Sequence, residues 1–400
     1  ECYPNRFGSR IGKRMISEKP GGRVLLADQR PASAVLHSVL AHAVRTFPDA
    51  MAEVELPAGA EAFRREYPEC LPGFEAARAG SRRRTEIARA AVAELQRHLI
   101  WQGPEGMRPL GEALTLPAEP LSLDVHAFTG EPGWEPGLTY RGERWPGSRL
   151  PALADDLVSR GMATGDAGSG LTWVASECLE GGRLYLPRRK IAVLGAGAEM
   201  APTRFWLEAG AEVLWLDVVP PPAAWRDVPG MAGRLHWPAA GVDLLARPQE
   251  VLATLMAFAD GEPVDLGLFA YAPGQARELL LTGVMNEIVN ALPRPLLRTV
   301  TLLVSPTTPT ALTAEDQPAI EARRENRPGW EVVLDRLGLL GRGGGSASVG
   351  GGTATRTVVG IQGASYQAAQ YLGKVLLLGS LGYIQWDNAR VLFGDNFVQT

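Results

Sequence analysis

The sequence is poor in cysteine, in histidine and in long apolar runs. Its cysteines are Cys2, Cys70 and Cys178, which are widely spaced and form no CxxC pair. This pattern argues against a disulfide framework or a cysteine-bound zinc, and it favours a reducing compartment such as the cytoplasm. The five histidines do not cluster at the spacings of metal ligands, so no metal site is expected.

No apolar run reaches 18 residues and no secretory signal is present, so no membrane span is expected. The chain also lacks an excess of positive charge, since its net charge is -4 and only 21% of its residues are charged. Nucleic acid is therefore not an expected partner. The absence of an initiator methionine suggests a piece of a longer polypeptide. The oligomeric state stays open, with a homo-oligomer among the expected states.

Apolar material, in contrast, is ample. It makes up 46% of the 400 residues, which is enough for two folded domains. We predict an N-terminal α/β accessory domain of unknown role at residues 1–185 and a second α/β domain at 186–400, with the boundary near 180–188. An inserted segment with a glycine-rich loop is predicted at 312–356.

Hydrophobic periodicity predicts the elements of the N-terminal part. They are a strand at 23–28, a helix at 32–46, a strand at 52–56, a helix at 81–100, short strands such as 121–128 within a loop-rich stretch at 103–150, and short helices at 150–160 and 167–175. None of them contains a glycine turn suited to a phosphate. The N-terminal part therefore gives no indication of its role.

The most informative stretch begins at Lys190. Its pattern predicts a strand, a glycine turn, a helix, a second strand and a terminal acid, at residues 191–194, 195–197, 199–209, 213–216 and 217. Gly195 permits the tight turn, and Gly197 lets a diphosphate approach the backbone. Asp217 follows Gly197 by 20 residues, about where a ribose-binding acid is expected.

This motif departs from the full GxGxxG pattern, because Met200 stands where the third glycine would be. Three interpretations are open: a βαβ unit that binds a dinucleotide, one that binds the adenosyl part of a methyl donor, and one that binds no ligand. The distance from Gly197 to Asp217 favours the dinucleotide.

Strands and helices continue to alternate downstream. Strands are predicted at 234–237, 264–270, 299–304 and 357–361, and helices at 248–259, 275–292, 314–324, 330–339 and 365–381. This alternation predicts a doubly wound, Rossmann-like parallel sheet with its ligand at the carboxyl ends of the strands. The glycine-rich stretch at 341–355 is predicted to be a flexible linker, with a mobile lid over the site as the alternative.

From about residue 188 the order of these segments resembles the short-chain dehydrogenase/reductase superfamily, over slightly more than half of the chain. The likeness is carried by Asp243-Leu244 after strand three, the stretch 270–274 after strand four, 281–286 (LTGVMN) in the long helix, Ser305 after strand five and 364–374 in the last helix. The resemblance implies an NAD(P)-dependent oxidoreductase. Such an enzyme acts on a carbonyl, hydroxyl or enoyl group of a small or acyl substrate.

In that family a tyrosine and a lysine lie one helical turn apart. Here Tyr366 is followed four residues later by Gln370, and Lys374 lies eight residues after Tyr366, about 80° around the helix. Tyr366 is our first choice for proton transfer, and Tyr371 is the rival. The resemblance implies that Lys374 tunes the tyrosine and holds the ribose, and that Ser305 binds the carbonyl oxygen.

The resemblance also implies the cofactor contacts. They are expected at Gly195, Gly197, Glu199, Met200, Asp217, Asp243, Ala270 and Ala272. Asp217 favours NAD because a carboxylate repels the 2′-phosphate of NADP, which is the alternative cofactor. Two other functions stay open: a catalytically degenerate nucleotide-binding module of a larger enzyme, and an S-adenosylmethionine-dependent methyltransferase. A methyltransferase has no use for the tyrosine and lysine of the last helix.

Overall fold

The computed structural model describes residues 21–382, apart from 273–275, 306, 313–315, 317, 319–321, 323–324, 338–345, 357 and 359. The strands in this part of the chain are β1 (Arg23–Leu26), β2 (Leu99–Gly103), β3 (Gly106–Pro109), β4 (Leu123–Ala127), β5 (Gly137–Tyr140), β6 (Glu143–Pro146), β7 (Lys190–Leu194), β8 (Glu212–Leu216), β9 (Arg234–Pro238), β10 (Val264–Leu268), β11 (Leu297–Leu302), β12 (Ser346–Val349) and β13 (Gly352–Thr355). The helices are α1 (Ala32–Thr46), α2 (Ala60–Gly80), α3 (Arg84–Gln96), α4 (Leu110–Ala113), α5 (Leu150–Ser159), α6 (Gly165–Trp173), α7 (Thr203–Glu208), α8 (Pro248–Ala259), α9 (Arg277–Ala291), α10 (Gly329–Arg336) and α11 (Ala364–Leu381).

A six-stranded sheet forms the centre of the molecule, in the order β11-β10-β7-β8-β9-β4. The strands β7 to β11 pair in parallel, and β4 joins the edge antiparallel to β9. In chain order the five parallel strands therefore take the spatial order 3-2-1-4-5, which reverses between β7 and β10. The prediction of an α/β protein with a mostly parallel central sheet is confirmed, and its strands lie close to their predicted positions.

The strands of this sheet are continuous apolar runs because both faces are covered. In β7, Ala192 and Leu194 pack into one buried cluster, while Ile191 and Val193 pack into another on the opposite face. The first cluster is formed with α8 and α9. The second is smaller and includes Leu207 of α7.

The larger core also contains side chains from the N-terminal helices. Val35 of α1, Phe63 of α2 and Ile87 of α3 belong to the same cluster as Leu194 of β7 and Val375 of α11. The helix α11 packs against both α3 and α9. One core thus runs through both of the predicted domains, and the boundary near 180–188 stays a prediction.

The N-terminal region differs from its prediction at three places. Residues 52–56 carry no strand, so that prediction is wrong. The helix α2 is not indicated by the sequence pattern, because it contains Pro68 and Pro72, which are typical of helix ends. The helix predicted at 81–100 ends at Gln96, because Leu99 and its neighbours pair with β1 instead.

The helix after the glycine turn is shorter than predicted. Residues 199–209 were the expected span, but α7 begins only at Thr203. Pro202 is the reason: the residue before a proline avoids the helical region, so the helix starts after it. An eight-residue loop from 195 to 202 therefore separates β7 from the helix.

The second half of the glycine-rich stretch is an ordered hairpin rather than the predicted linker or lid. The strands β12 and β13 pair with each other and pack on α2. A Cβ at Gly352 would lie 2.0 Å from the Ala76 carbonyl oxygen, so glycine permits this close approach. Residues 341–345 and most of the helix predicted at 314–324 lie outside the described residues.

Two other predictions in this region have partial outcomes. The helix predicted at 330–339 is α10, which ends at Arg336. The strand predicted at 357–361 lies partly outside the described residues, and 360–362 form a 3-10 turn. None of the helices in the described part of the chain is long and apolar enough to cross a membrane.

Candidate functional site

The glycine turn lies at the carboxyl end of β7, against the end of β10. Gly195 has a φ of +82°, a conformation that glycine adopts without strain. A Cβ there would lie 2.3 Å from the backbone nitrogen of Ala270, so a larger residue does not fit. Its N–H donates to the Leu216 carbonyl at 2.8 Å. The turn thus occupies the point where the strand order reverses, which is where open α/β sheets bind ligands.

Asp217, at the end of β8, lies against this turn. Its Oδ2 accepts a hydrogen bond from the Gly197 N–H at 3.0 Å, and its Oδ1 accepts one from the Val219 N–H at 3.1 Å. Burial raises the pKa of Asp217, and the N–H groups of Gly197, Val219 and Val218 oppose that rise. The structure therefore brings the glycine turn into contact with Asp217, the acid that the sequence motif associates with this turn.

The loop after the turn keeps backbone donors available. Glu199 and Met200 are exposed, and their N–H groups donate to no acceptor among the described residues. Thr203 donates through Oγ1 to the Ala196 carbonyl at 2.9 Å, which ties the start of α7 to the turn. Successive free N–H groups suit an anion. Because α7 begins only at Thr203, its N-terminus lies beyond this loop. The free N–H groups next to the glycine turn are therefore those of the loop and not those of the helix.

Asp243 lies in the loop after β9, at the same edge of the sheet. Its Oδ1 accepts from the Leu245 N–H at 2.9 Å, and its Oδ2 accepts from Arg277 at 3.1 Å. Arg277 is the first residue of α9. Asp243 is therefore tied to the loop between β10 and α9, which contains the predicted cofactor contacts Ala270 and Ala272.

A buried polar network lies between the ends of β10 and β11. The Ala272 N–H donates to Glu278 Oε2 at 2.7 Å, and the Gln370 side-chain amide donates to Glu278 Oε1. The carbonyl oxygen of the same Gln370 amide accepts from the Ser305 N–H at 3.0 Å. Glu278 is only 1% exposed. The network thus connects the loops after β10 and β11 through one side chain of α9 and one of α11.

Glu278 titrates near neutrality in this setting. Burial raises its pKa to about 7, although the hydrogen bonds from Ala272 and Gln370 lower it. The orientation of the Gln370 amide is fixed by Ser305, whose backbone N–H can only donate. The amide nitrogen of Gln370 must then face Glu278, so the hydrogen bonds favour the ionised carboxylate while burial, the larger effect, favours the neutral form.

Ser305 belongs to a second set of polar contacts. Its hydroxyl lies 2.8 Å from the Thr307 hydroxyl, which in turn lies 2.7 Å from Gln367 Oε1 and 3.0 Å from Gln362 Oε1. The amide nitrogen of Gln367 is buried and has no partner among the described residues. The cluster that contains Ser305, the predicted catalytic serine, therefore also contains a hydrogen-bond donor that is unpaired within the described part of the chain, the amide nitrogen of Gln367.

Tyr366 is half-buried in the first turn of α11. Burial raises the pKa of its hydroxyl, and the nearby charges of Glu278 and Tyr271 raise it further. Its hydroxyl forms no hydrogen bond among the described residues. The structure therefore places Tyr366 near the Glu278 network, with its hydroxyl available to a ligand.

Tyr371 and Lys374 lie elsewhere, in a buried cluster with α2. Lys374 donates to Glu75 Oε1 at 2.5 Å, and the Tyr371 hydroxyl donates to Glu75 Oε2 at 3.0 Å. Arg78 donates to both oxygens of the same carboxylate at 2.9 Å. Burial alone would raise the pKa of Glu75, but the charges of Arg78 and Lys374 lower it to about 2. The structure does not join either residue to Tyr366, and their predicted roles stay predictions.

Sequence reasoning misses Glu278 and Glu75 as members of these clusters. Glu278 gives a weak signal, since it is an acid next to the apolar stripe of a long helix. Glu75 forms a local pair with Arg78, but its other two partners lie on α11, 296 and 299 residues away along the chain.

Comparisons of the chain with models of protein families, with curated proteins and with solved structures found no match. Among the described residues, no group of three or more His, Cys, Asp or Glu side chains is arranged to hold a metal ion. The case for a function therefore depends on the geometry of the site.

Proposed function

We propose that this chain is an NAD(P)-dependent oxidoreductase of the short-chain type, built on a Rossmann-like nucleotide-binding fold. The observation that carries the proposal is the network of Ser305, Gln370 and Glu278 beside Tyr366, at the carboxyl edge of the sheet. In the family that the sequence resembles, a serine after strand five and a tyrosine of the next helix act on one substrate oxygen. The strand order 3-2-1-4-5 supports the same proposal.

The residues of the crevice fit the adenosine half of a dinucleotide. Asp217 offers a carboxylate for the ribose hydroxyls, and the N–H groups of Glu199 and Met200 suit the diphosphate. Asp243, which the resemblance assigns to the adenine ring, lies at the same edge of the sheet. The nicotinamide of such a cofactor supplies or accepts a hydride. The charge of Asp217 favours NAD over NADP.

Tyr366 is protonated at neutral pH and can offer this proton to a substrate oxygen. A hydroxyl with a raised pKa keeps its proton at neutral pH, and the Glu278 charge opposes formation of the phenolate. Proton donation to an oxygen that becomes negative accompanies reduction of a carbonyl. The Ser305 hydroxyl is the second group offered to that oxygen. The substrate we propose is a small or acyl compound that carries a carbonyl, hydroxyl or enoyl group.

The test is titration with NADH and NADPH, followed by nicotinamide fluorescence, with turnover assayed on short and acyl carbonyl compounds. Gly197→Val should abolish binding, because even a Cβ would lie 3.0 Å from the Trp215 ring and 3.3 Å from Asp217. Tyr366→Phe should keep binding and lower turnover by about 100-fold or more. Tyr371→Phe is the control, since that hydroxyl is committed to Glu75. Binding that persists in Gly197→Val would place the nucleotide elsewhere.

A second candidate is a nucleotide-binding module without turnover. The observation that favours it is the burial of Lys374, which is 1% exposed and paired with Glu75. A lysine in this pair is not available to hold a nicotinamide ribose. Binding of NADH in the wild-type chain, with no turnover on any carbonyl compound and no effect of Tyr366→Phe, would select this candidate.

A further inference from the structure

A second concave surface lies at the opposite edge of the central sheet, where β7 and β11 begin. It is an open pocket of about 430 Å³, lined by Tyr185, Leu186, Pro187, Arg188, Arg189 and Arg298. The strands between this edge and the glycine turn are five residues long, which corresponds to about 17 Å. The pocket is therefore separate from the crevice that contains Gly195.

Two of its arginines are held in place by one carboxylate. Arg189 donates to Asp265 through Nε at 2.5 Å and Nη2 at 3.0 Å, and Arg298 donates to the same carboxylate at 3.3 Å. The Thr299 hydroxyl fixes Asp265 from the side at 2.6 Å. The Arg189 and Arg298 side chains remain 39% and 34% exposed, and each guanidinium has more N–H groups than these bonds use.

Arg188 adds a third cation, and its backbone is unusual. Its φ is +62°, in the left-handed region that side chains other than glycine, asparagine and aspartate rarely adopt. It is exposed and forms no ion pair among the described residues. The pocket lining thus contains three arginines, two of them paired with one carboxylate, which leaves a net positive charge of two among these four side chains. Strain at a non-glycine residue is typical of functional positions.

We propose that this pocket binds a phosphorylated small molecule through its phosphate group. Guanidinium groups that are already oriented match phosphate oxygens with paired hydrogen bonds. The volume exceeds that of a lone phosphate and falls within the range of small-molecule sites. Tyr185, Leu186 and Pro187 line the rest of the pocket beside the three arginines. The ligand class is a phosphate monoester.

Isothermal titration calorimetry on the full chain tests this, with inorganic phosphate, phenyl phosphate and phenol as probes. Phenyl phosphate should bind, phosphate should bind several-fold more weakly, and phenol should not bind. Affinity should fall as salt is added, because the contact is between charges.

The variant Arg188→Gly removes the guanidinium and also relieves the backbone strain, so folding is not at risk. Arg141→Gly is its matched control, because Arg141 is another exposed arginine with a left-handed φ, +53°, in the turn between β5 and β6. Arg188→Gly should weaken phenyl phosphate binding at least tenfold, Arg298→Ala should do the same, and Arg141→Gly should leave it unchanged. Absence of binding by the wild-type chain, or equal binding by all three variants, overturns the proposal.

Discussion

Lys374 of α11 donates a hydrogen bond to Glu75 of α2 at 2.5 Å, in a part of the core where both residues are at most 1% exposed. The two residues are 299 positions apart in the sequence. This ion pair, together with Arg78 and Tyr371, fixes the last helix onto the N-terminal helices. Lys374, for which the family resemblance implies a catalytic role, is therefore paired with a carboxylate in the core of this structure.

Removal of the Glu75 charge should strongly destabilise the protein. The variant Glu75→Gln leaves Lys374 and Arg78 buried without their carboxylate, which costs about 3–5 kcal/mol. Urea denaturation measures the difference in the free energy of unfolding. Glu69→Gln is the control, because Glu69 lies on the same helix and pairs with Arg356 at the surface, where such pairs contribute less than about 1 kcal/mol. Equal stability of the two variants would contradict the inference.

The same pair should make the protein sensitive to acid. The pKa of Glu75 is lowered from 4.5 to about 2, so its contribution to stability is present above about pH 4.5 and is lost as the pH falls towards 2. Wild-type stability should therefore drop over this range by more than that of Glu75→Gln. Thermal unfolding at a series of pH values measures both slopes, and parallel slopes would show that Glu75 is not the titrating group.

Glu278 should make the protein less stable as the pH rises, which is opposite to the effect of Glu75. Its pKa is raised from 4.5 to about 7, so its contribution to stability is full below about pH 4.5 and is lost as the pH rises through 7. The loss amounts to about 3 kcal/mol. Glu278→Gln should flatten the dependence of the unfolding free energy on pH between 5 and 8. A slope equal to that of the wild type would contradict the assignment.

The effect of Glu278 on the site can be separated from its effect on stability. Glu287→Gln is the matched control, because Glu287 is a second buried acid of α9 with a raised pKa, bonded to Gln96 instead of Gln370. Only Glu278→Gln should shift the pH profile of turnover, because only Glu278 lies beside Tyr366. The same shift in both variants would point to a general loss of structure.

Asp217 should set the choice between the two nicotinamide cofactors. Asp217→Asn keeps the shape of the side chain and removes the charge that repels a 2′-phosphate. The ratio of NADPH to NADH affinity should rise about tenfold, which corresponds to about 1.4 kcal/mol. Fluorescence titration measures both affinities, and Asp227→Asn, an exposed acid in the loop after β8, is the control. An unchanged ratio would remove Asp217 from the cofactor site.

The hairpin on α2 should depend on the absence of a side chain at Gly352. A Cβ there would lie 2.0 Å from the Ala76 carbonyl oxygen, so Gly352→Ala must push β13 away from α2. We expect a loss of about 1–3 kcal/mol, as in other overpacked sites. Gly329→Ala is the control, since nothing lies within 4 Å of its Cβ position. If both variants unfold at the same temperature, the hairpin does not depend on this contact.

Much of the central sheet could be predicted from the sequence, because its determinants are local. Apolar runs such as 191–194 are buried on both faces, and the runs alternate with helical periods along the chain. The glycine turn at Gly195 and the acid at Asp217 occupy fixed positions in one βαβ unit. The order and spacing of these residues along the chain were therefore enough to predict that they lie at one edge of the sheet.

Only the tertiary structure decided which polar side chains meet. Glu278 reaches Gln370 over 92 residues, and Lys374 reaches Glu75 over 299, through the packing of α11 against its neighbours. Helical periodicity tells on which face of a helix a residue lies, but it does not tell which other element packs on that face. The sequence by itself determined a mostly parallel sheet with a glycine turn and an acid at one edge. The fold determined that Tyr366 lies beside this edge and that Lys374 lies in the core, because α11 is covered by the N-terminal helices.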